Sequence, residues 1–250
     1  MKRLVPILIL FACALPARAA ITATAYVSGG VNNGSTATMV TSAYNQAAHH
    51  CIVVGGNAFQ QGMTISDTAG DTFTAVVAAY TGGNSNHILG AIAYNTAGNA
   101  SNVVTLNTTG SNFQFGTVQV YDVNPGSGNC TSALLDVHAA IATTSSGTSA
   151  AQTITTAVAN EAILTFVYSS GSASFSAATV PTSFTANPSG IEAQYGYSAS
   201  RIVSAIQTGV TLTWSSLSPT TTYDMFTISI EAIATAACVP SVSITGAGSC

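Results

Sequence analysis

What most limits the folds open to this chain is the rhythm of residues 63–94, MTISDTAGDTFTAVVAAYTGGNSNHILGAIAY. Apolar and polar residues alternate over Thr64–Thr68, Thr72–Ala79 and His87–Tyr94, the period of two that belongs to strands. The first two runs meet at Asp67-Thr68-Ala69-Gly70-Asp71, where Gly70 and its Asp neighbours tolerate the positive φ of a short hairpin loop. The third follows Gly82-Gly83-Asn84. The same grammar of short β-branched runs and Gly/Asn/Ser turns recurs downstream, and no segment holds a 3.6-residue apolar spacing over three turns. The pattern predicts an all-β protein: a two-sheet antiparallel β-sandwich, jelly-roll-like, with about a dozen strands and little helix.

Along the chain, Thr22–Ser28 and Ser35–Thr41 read as a first hairpin. His50-Cys51-Ile52-Val53-Val54 is apolar on both faces, the mark of a central strand. Glu161–Tyr168 is too short for a helix between Asn160 and Ser169-Ser170-Gly171 and reads the same way. Phe113–Val123 ends in Asn124-Pro125-Gly126-Ser127-Gly128-Asn129, the clearest turn signal in the protein. Pro181 and Pro188 remove ladder donors and mark Val180–Ala186 as an edge. In Val210–Ser215, Trp214 shares a face with Val210 and Leu212, which points to core packing. In Tyr223–Ile233, Phe226, Ile228 and Ile230 face one way and Thr227, Ser229 and Glu231 the other.

The N-terminus reads as an export signal over residues 1–19. Met1-Lys2-Arg3 is basic, Leu4–Leu15 is an apolar run short for a bilayer span, and Ala17-Arg18-Ala19 suits a signal peptidase. A β-sandwich domain over 20–235 follows, then 236–250 as a linker or the start of a further module. The expected location is secreted, extracellular or at the cell surface, with no membrane span after cleavage.

Lys2, Arg3 and Arg18 leave with the signal, so Arg201 alone faces eight acids. Nucleic-acid binding, which needs many cations on phosphates, is excluded. So are polybasic attachment to anionic lipid and chemistry that needs a lysine. Beyond the signal stand Cys51, Cys130, Cys238 and Cys250. Cys238 and Cys250 close a short local loop and form the preferred disulfide; Cys51 and Cys130 are left open between a bond and buried thiols.

The succession SDTAGDTFT, ILGAIAYNTAGNASNVVTL, VQVYDV, LLDVHAA, ANEAILTFVY and TISIEAI resembles an uncharacterised group of secreted bacterial β-sandwich domains. That group carries a D-x-A-G-N/D-T-Y/F/W hairpin and often sits beside immunoglobulin-like or fibronectin-like modules. The similarity spans Ala48–Ala234 and departs at Cys130-Thr131-Ser132-Ala133, where the group has proline before the leucine. It implies the fold and export, and no catalytic residue.

No G-x-S-x-G elbow occurs. A glycosidase needs two carboxyl groups facing across a cleft, for which Glu161, Glu192, Glu231, Asp136 and Asp224 are the candidates. His49 and His50 are adjacent and point to opposite faces of a strand, so one ion does not take both. Asp67 and Asp71 offer hard oxygens to calcium, against the alternative that they cap their turn. Tyr195, Tyr197 and Arg201 share a face if Ile191–Ala205 is extended, and could stack on a sugar or a partner surface. The expectation is a non-catalytic extracellular binding or adhesion module, carbohydrate- or surface-binding, with no cofactor. The alternatives are a self-associating structural surface protein and a jelly-roll polysaccharide hydrolase.

Overall fold

The structure is a computed structural model that describes residues 20–31, 36–59, 62–81, 86–110, 115–169, 175–187 and 195–234. The signal segment, Pro188, Glu192, the 236–250 segment and the Cys238–Cys250 pair lie outside the described residues.

The first half of the chain forms β1 (Thr22–Val31), β2 (Thr38–Val40), β3 (Tyr44–Gln46), β4 (Cys51–Phe59) and β5 (Met63–Asp67). It continues through β6 (Phe73–Thr81), β7 (Asn86–Ala93), β8 (Asn99–Asn102), β9 (Val104–Thr108) and β10 (Gly116–Asn124). The Pro125–Gly128 turn and a single 3-10 turn at Ser132–Leu134 lead into the second half. There follow β11 (Leu135–Gly147), β12 (Ala150–Ile154), β13 (Glu161–Ser169), β14 (Ala177–Thr179), β15 (Thr185–Ala186), β16 (Gly196–Val203), β17 (Val210–Ser218) and β18 (Thr221–Glu231). All pairings are antiparallel. No helix among the described residues is long and apolar enough to cross a membrane.

The fold is all-β and antiparallel, as the alternation implied, but the described residues form eighteen strands where about a dozen were expected. The sheets are also stacked more deeply than two. Five-stranded sheets β1-β10-β4-β7-β6 and β11-β18-β13-β16-β15 face each other, and a three-stranded sheet covers the outer side of each: β2-β9-β5 on the first, β12-β17-β14 on the second. Strands β3 and β8 form a small separate pair.

Setting that pair aside, each half contributes eight strands in one order: first-eighth-third-sixth-fifth in its large sheet, second-seventh-fourth in its small one. First with eighth, second with seventh and third with sixth is the nested pairing of a jelly roll. The chain is therefore two jelly rolls joined through their large sheets. Short sequence echoes fall at matching places: Phe73-Thr74-Ala75 with Phe184-Thr185-Ala186, and Val104-Thr105-Leu106 with Val210-Thr211-Leu212. The turn into the third strand of each half has a non-glycine residue at positive φ, His49 at 68° and Asn160 at 60°.

Three cores result. Cys51, Val53, Ile92 and Tyr121 meet Leu164, Phe166, Phe226 and Ile228 between the large sheets. Ile52, Val54, Leu106 and Val120 fill the first jelly roll, and Val167, Leu212, Trp214 and Met225 the second. Strands β4, β10, β13 and β18 are buried on both faces because each lies inside a sheet that is covered on both sides. This matches the reading of β4 and β13 as central and of Trp214 as core. It corrects the in/out reading of the last strand, since Thr227 and Ser229 are as buried as Phe226 and Ile228.

Two expected hairpins are not formed. β1 pairs with β10 and β2 with β9, so they belong to different sheets. β5 pairs with β9 and β6 with β7, so Asp67–Asp71 is a corner between layers rather than a hairpin loop. Alternation fixes which residues share a face; it does not fix which strand lies alongside.

Cys51 and Cys130 are bonded, with Cα atoms 5.5 Å apart. The bond ties the start of β4 to the segment joining the halves, where the Cys130 N–H also donates to the His49 carbonyl at 2.8 Å. Closing a loop with a sequence separation of 79 residues stabilises the fold by about 4 kcal/mol in the chain-entropy model. The Cys51→Ala/Cys130→Ala protein is expected to lose that amount in urea unfolding, and an unchanged midpoint would count against the bond.

Candidate functional site

The corner that opens the sequence argument is a polar clamp. Its two acids are held by backbone and amide donors: Asp71 N–H donates to Asp67 Oδ1 at 2.9 Å, and Ala97 N–H to Asp71 Oδ1 at 2.8 Å. Gln46 Nε2 reaches Asp71 Oδ2 and the Ala97 carbonyl, both at 2.6 Å, and Asn102 Nδ2 reaches Asp67 Oδ2 at 3.0 Å. Burial raises the Asp71 carboxyl above its ordinary range, with Asp67 adding to the effect. The arrangement caps the corner and fastens it to β3 and β8. Among the described residues no three His, Cys, Asp or Glu side chains come together as a metal site.

The adjacent imidazoles part company, though not by strand alternation: both precede β4, and His49 stands in the turn at φ 68°. His49 Nδ1 lies 2.9 Å from Asn95 Oδ1, and His50 Nδ1 lies 2.5 Å from Asp122 Oδ1. Burial keeps Asp122 raised, outweighing the lowering effect of His50.

Of the glycosidase candidates, Glu161 has Asp136 beside it and Glu231 opposite it on β18, whereas Asp224 lies opposite Tyr168 at the other end of β13. Asp224 is fully buried and accepts the Thr143 hydroxyl at 2.7 Å. Asp136 accepts the Ala157 N–H at 2.6 Å. Glu161 begins β13 with 0% of its surface exposed. Neither of its oxygens has a hydrogen bond of good geometry, and Ser229 and Asp136 are its polar neighbours. Burial pushes its carboxyl up to about 8, and Asp136 opposes ionisation further. A raised carboxylic acid suits a general acid, but one sealed from solvent has no substrate to protonate.

Of the proposed binding face, the tyrosines turn inward. Tyr195, just before β16, is 4% exposed, with its ring 5.3 Å from that of Phe115. Tyr197 packs edge-on to Phe175 at 5.0 Å and tilted to Trp214 at 6.4 Å. Both are part of the packing and neither offers a flat ring to a sugar.

Arg201 is the exception. It lines a surface cleft of about 330 Å³ with Ser183, Thr185, Ser200, Ile202 and Ala23. Ser183 stands at φ 68° in the turn before β15, and β15 then pairs Thr185 against Ser200 of β16. The cleft thus sets three hydroxyls beside a guanidinium, with no acid in its lining. Arg201 has no ion pair or hydrogen bond among the described residues. Sequence reasoning had Arg201 as the lone cation but missed Ser183, Thr185 and Ser200, whose hydroxyls look like any other surface residue until β15 folds against β16.

Glu161 yields a pH dependence. Its folded value of about 8 lies above the unfolded value of about 4.3, so the folded state keeps a proton that the unfolded chain releases. Its contribution to stability is complete below about pH 4.3 and is lost as pH rises through about 8, at no more than about 1.4 kcal/mol per pH unit. Urea midpoints across this range should fall with pH in the wild type and flatten in Glu161→Gln; the same slope in both would show that Glu161 is not its source.

Comparisons of the chain with protein-family models, curated proteins and solved structures find no match.

Proposed function

We propose that this protein is a non-catalytic extracellular binding module whose cleft at Arg201 takes a carboxylate-bearing glycan. The observation that carries this reading is the unpartnered guanidinium among the Ser183, Thr185 and Ser200 hydroxyls. A planar guanidinium matches a carboxylate in two parallel hydrogen bonds, and hydroxyls beside it match the alcohols of a sugar ring. No aromatic side chain lines the cleft, so stacking on a neutral pyranose is not its mode of recognition. Arg201 is the only lysine or arginine beyond the proposed export signal, which favours it as the contact for an anionic ligand.

Export is supported from two directions. Residues 1–19 have the composition of a secretory signal, and the Cys51–Cys130 bond suits an oxidising compartment. The hydrolase alternative is not favoured by the placement of Glu161, which is buried, or of Asp224 and Asp136, which accept hydrogen bonds from Thr143 and Ala157 within the fold.

A glycan array spanning uronate-, sialate- and neutral-sugar oligomers tests the reading. Binding should be confined to the acidic glycans, weaken with salt and fall at least about tenfold in Arg201→Ala, the loss of one charge-assisted pair. Equal binding of neutral glycans, or indifference to Arg201→Ala, would remove the cleft from consideration.

A further inference from the structure

The first jelly roll has an apolar opening at its edge. A groove of about 190 Å³ runs between the edge strand β5 and the β6–β7 pair, lined by Met63, Thr64, Ile65, Phe73, Leu89 and Ala91, with Ala75 at its rim. Its walls are aliphatic and aromatic apart from Thr64, and no charged side chain lines it. Thr64 and Ala75 are exposed while Leu89 and Ala91 are buried, so the groove leads from solvent down to the core of this half.

The duplication shows why it is open. Ala75 pairs with Ala91 in the first half, and Ala186, in the same Phe-Thr-Ala sequence, pairs with Ala199 in the second. Ala91 therefore corresponds to Ala199, and Leu89, two residues earlier, to Tyr197. By the shared Val-Thr-Leu sequence, Thr108 corresponds to Trp214. The second half fills this space with the Tyr197 ring, which has the Phe175 and Trp214 rings at 5.0 and 6.4 Å from it. The first half has leucine where Tyr197 stands and threonine where Trp214 stands, and Leu89 lines the groove.

We infer that this groove is a binding site for a small, uncharged aromatic molecule, which takes the place that Tyr197 occupies in the sister half. The size is adequate: a cavity of about 150 Å³ lined by aliphatic and aromatic side chains accommodates benzene. The lining sets the class of ligand, since burial of a charged or strongly polar group against Met63, Ile65 and Leu89 would leave it without partners. The Met63 thioether adds an adaptable, polarisable contact for a ring. The site shares no lining residue with the Arg201 cleft, which lies where β15 and β16 meet Ala23 of β1.

Indole is a suitable probe, followed through the ¹³C-methyl resonances of Met63, Ile65 and Leu89 in the full chain. Saturable shifts confined to these methyls are expected. Leu89→Tyr supplies the sister half's ring and should weaken indole at least about tenfold, the effect of losing one buried contact worth about 1.4 kcal/mol. Thr64→Phe at the exposed rim should do the same without touching the core, which keeps the test valid if Leu89→Tyr fails to fold. Absence of saturable shifts in the wild type, or unaltered indole affinity in folded Thr64→Phe, would overturn the assignment.

Discussion

Phe166 and Phe226 stack at 4.8 Å in the centre of the molecule, with Tyr121 edge-on to Phe166 at 5.9 Å, and the two large sheets are held apart and together by these rings. They fit because the facing sheet is bare where they land. A Cβ on Gly55 would stand 2.5 Å from Tyr168 Oη, and one on Gly90 2.8 Å from Phe226 Cε2. Both glycines sit in strand interiors, where glycine ordinarily weakens a sheet by leaving nothing to pack. Here the packing comes from the opposite half. Each buried large apolar side chain stabilises the fold by about 1.5–3 kcal/mol, so this one interface outweighs the strand entropy that its glycines cost. Tyr121 Oη donates to Ser198 Oγ at 3.1 Å across the same interface and fixes its register.

With that interface holding the large sheets together, the outer layers are free to diverge. The second jelly roll closes its interior with Trp214, Tyr197 and Phe175, and opens its surface at the turn carrying Ser183. The first keeps smaller side chains in the equivalent interior and invests instead in the Gln46–Asn102–Asp67–Asp71 clamp at its corner. A polar network of this kind specifies one geometry more than it adds stability, because each buried group must find its partner. The outcome is a four-layer body whose described residues include a depression lined by hydroxyls and a guanidinium and another lined by apolar groups.

Fold class and the central strands were legible because local alternation reports directly on which faces are covered. Strand partners were not. The Asp67–Asp71 segment has hairpin residues, yet β5 pairs with Leu106-bearing β9 and β6 with β7, and only the long-range partners decide this. The duplication was faintly written in the Phe-Thr-Ala and Val-Thr-Leu echoes, too short to stand out in a chain rich in Thr, Ala and Val. The same limit applied to the site. Arg201 was visible from charge counting alone, whereas Tyr195 and Tyr197 were placed on a shared face without knowledge that the second core lies beneath it. His50 and Asp122 stand 72 residues apart in sequence and meet only because β4 and β10 are neighbours.

Differential scanning calorimetry of the wild type and of Gly90→Val addresses the shared interface directly. If one core joins the two jelly rolls, the wild type melts in a single transition whose calorimetric and van't Hoff enthalpies agree. Gly90→Val should move that whole transition down by the cost of overpacking, about 1–3 kcal/mol. Two resolved transitions, with only the one from the first half displaced by the substitution, would contradict the account.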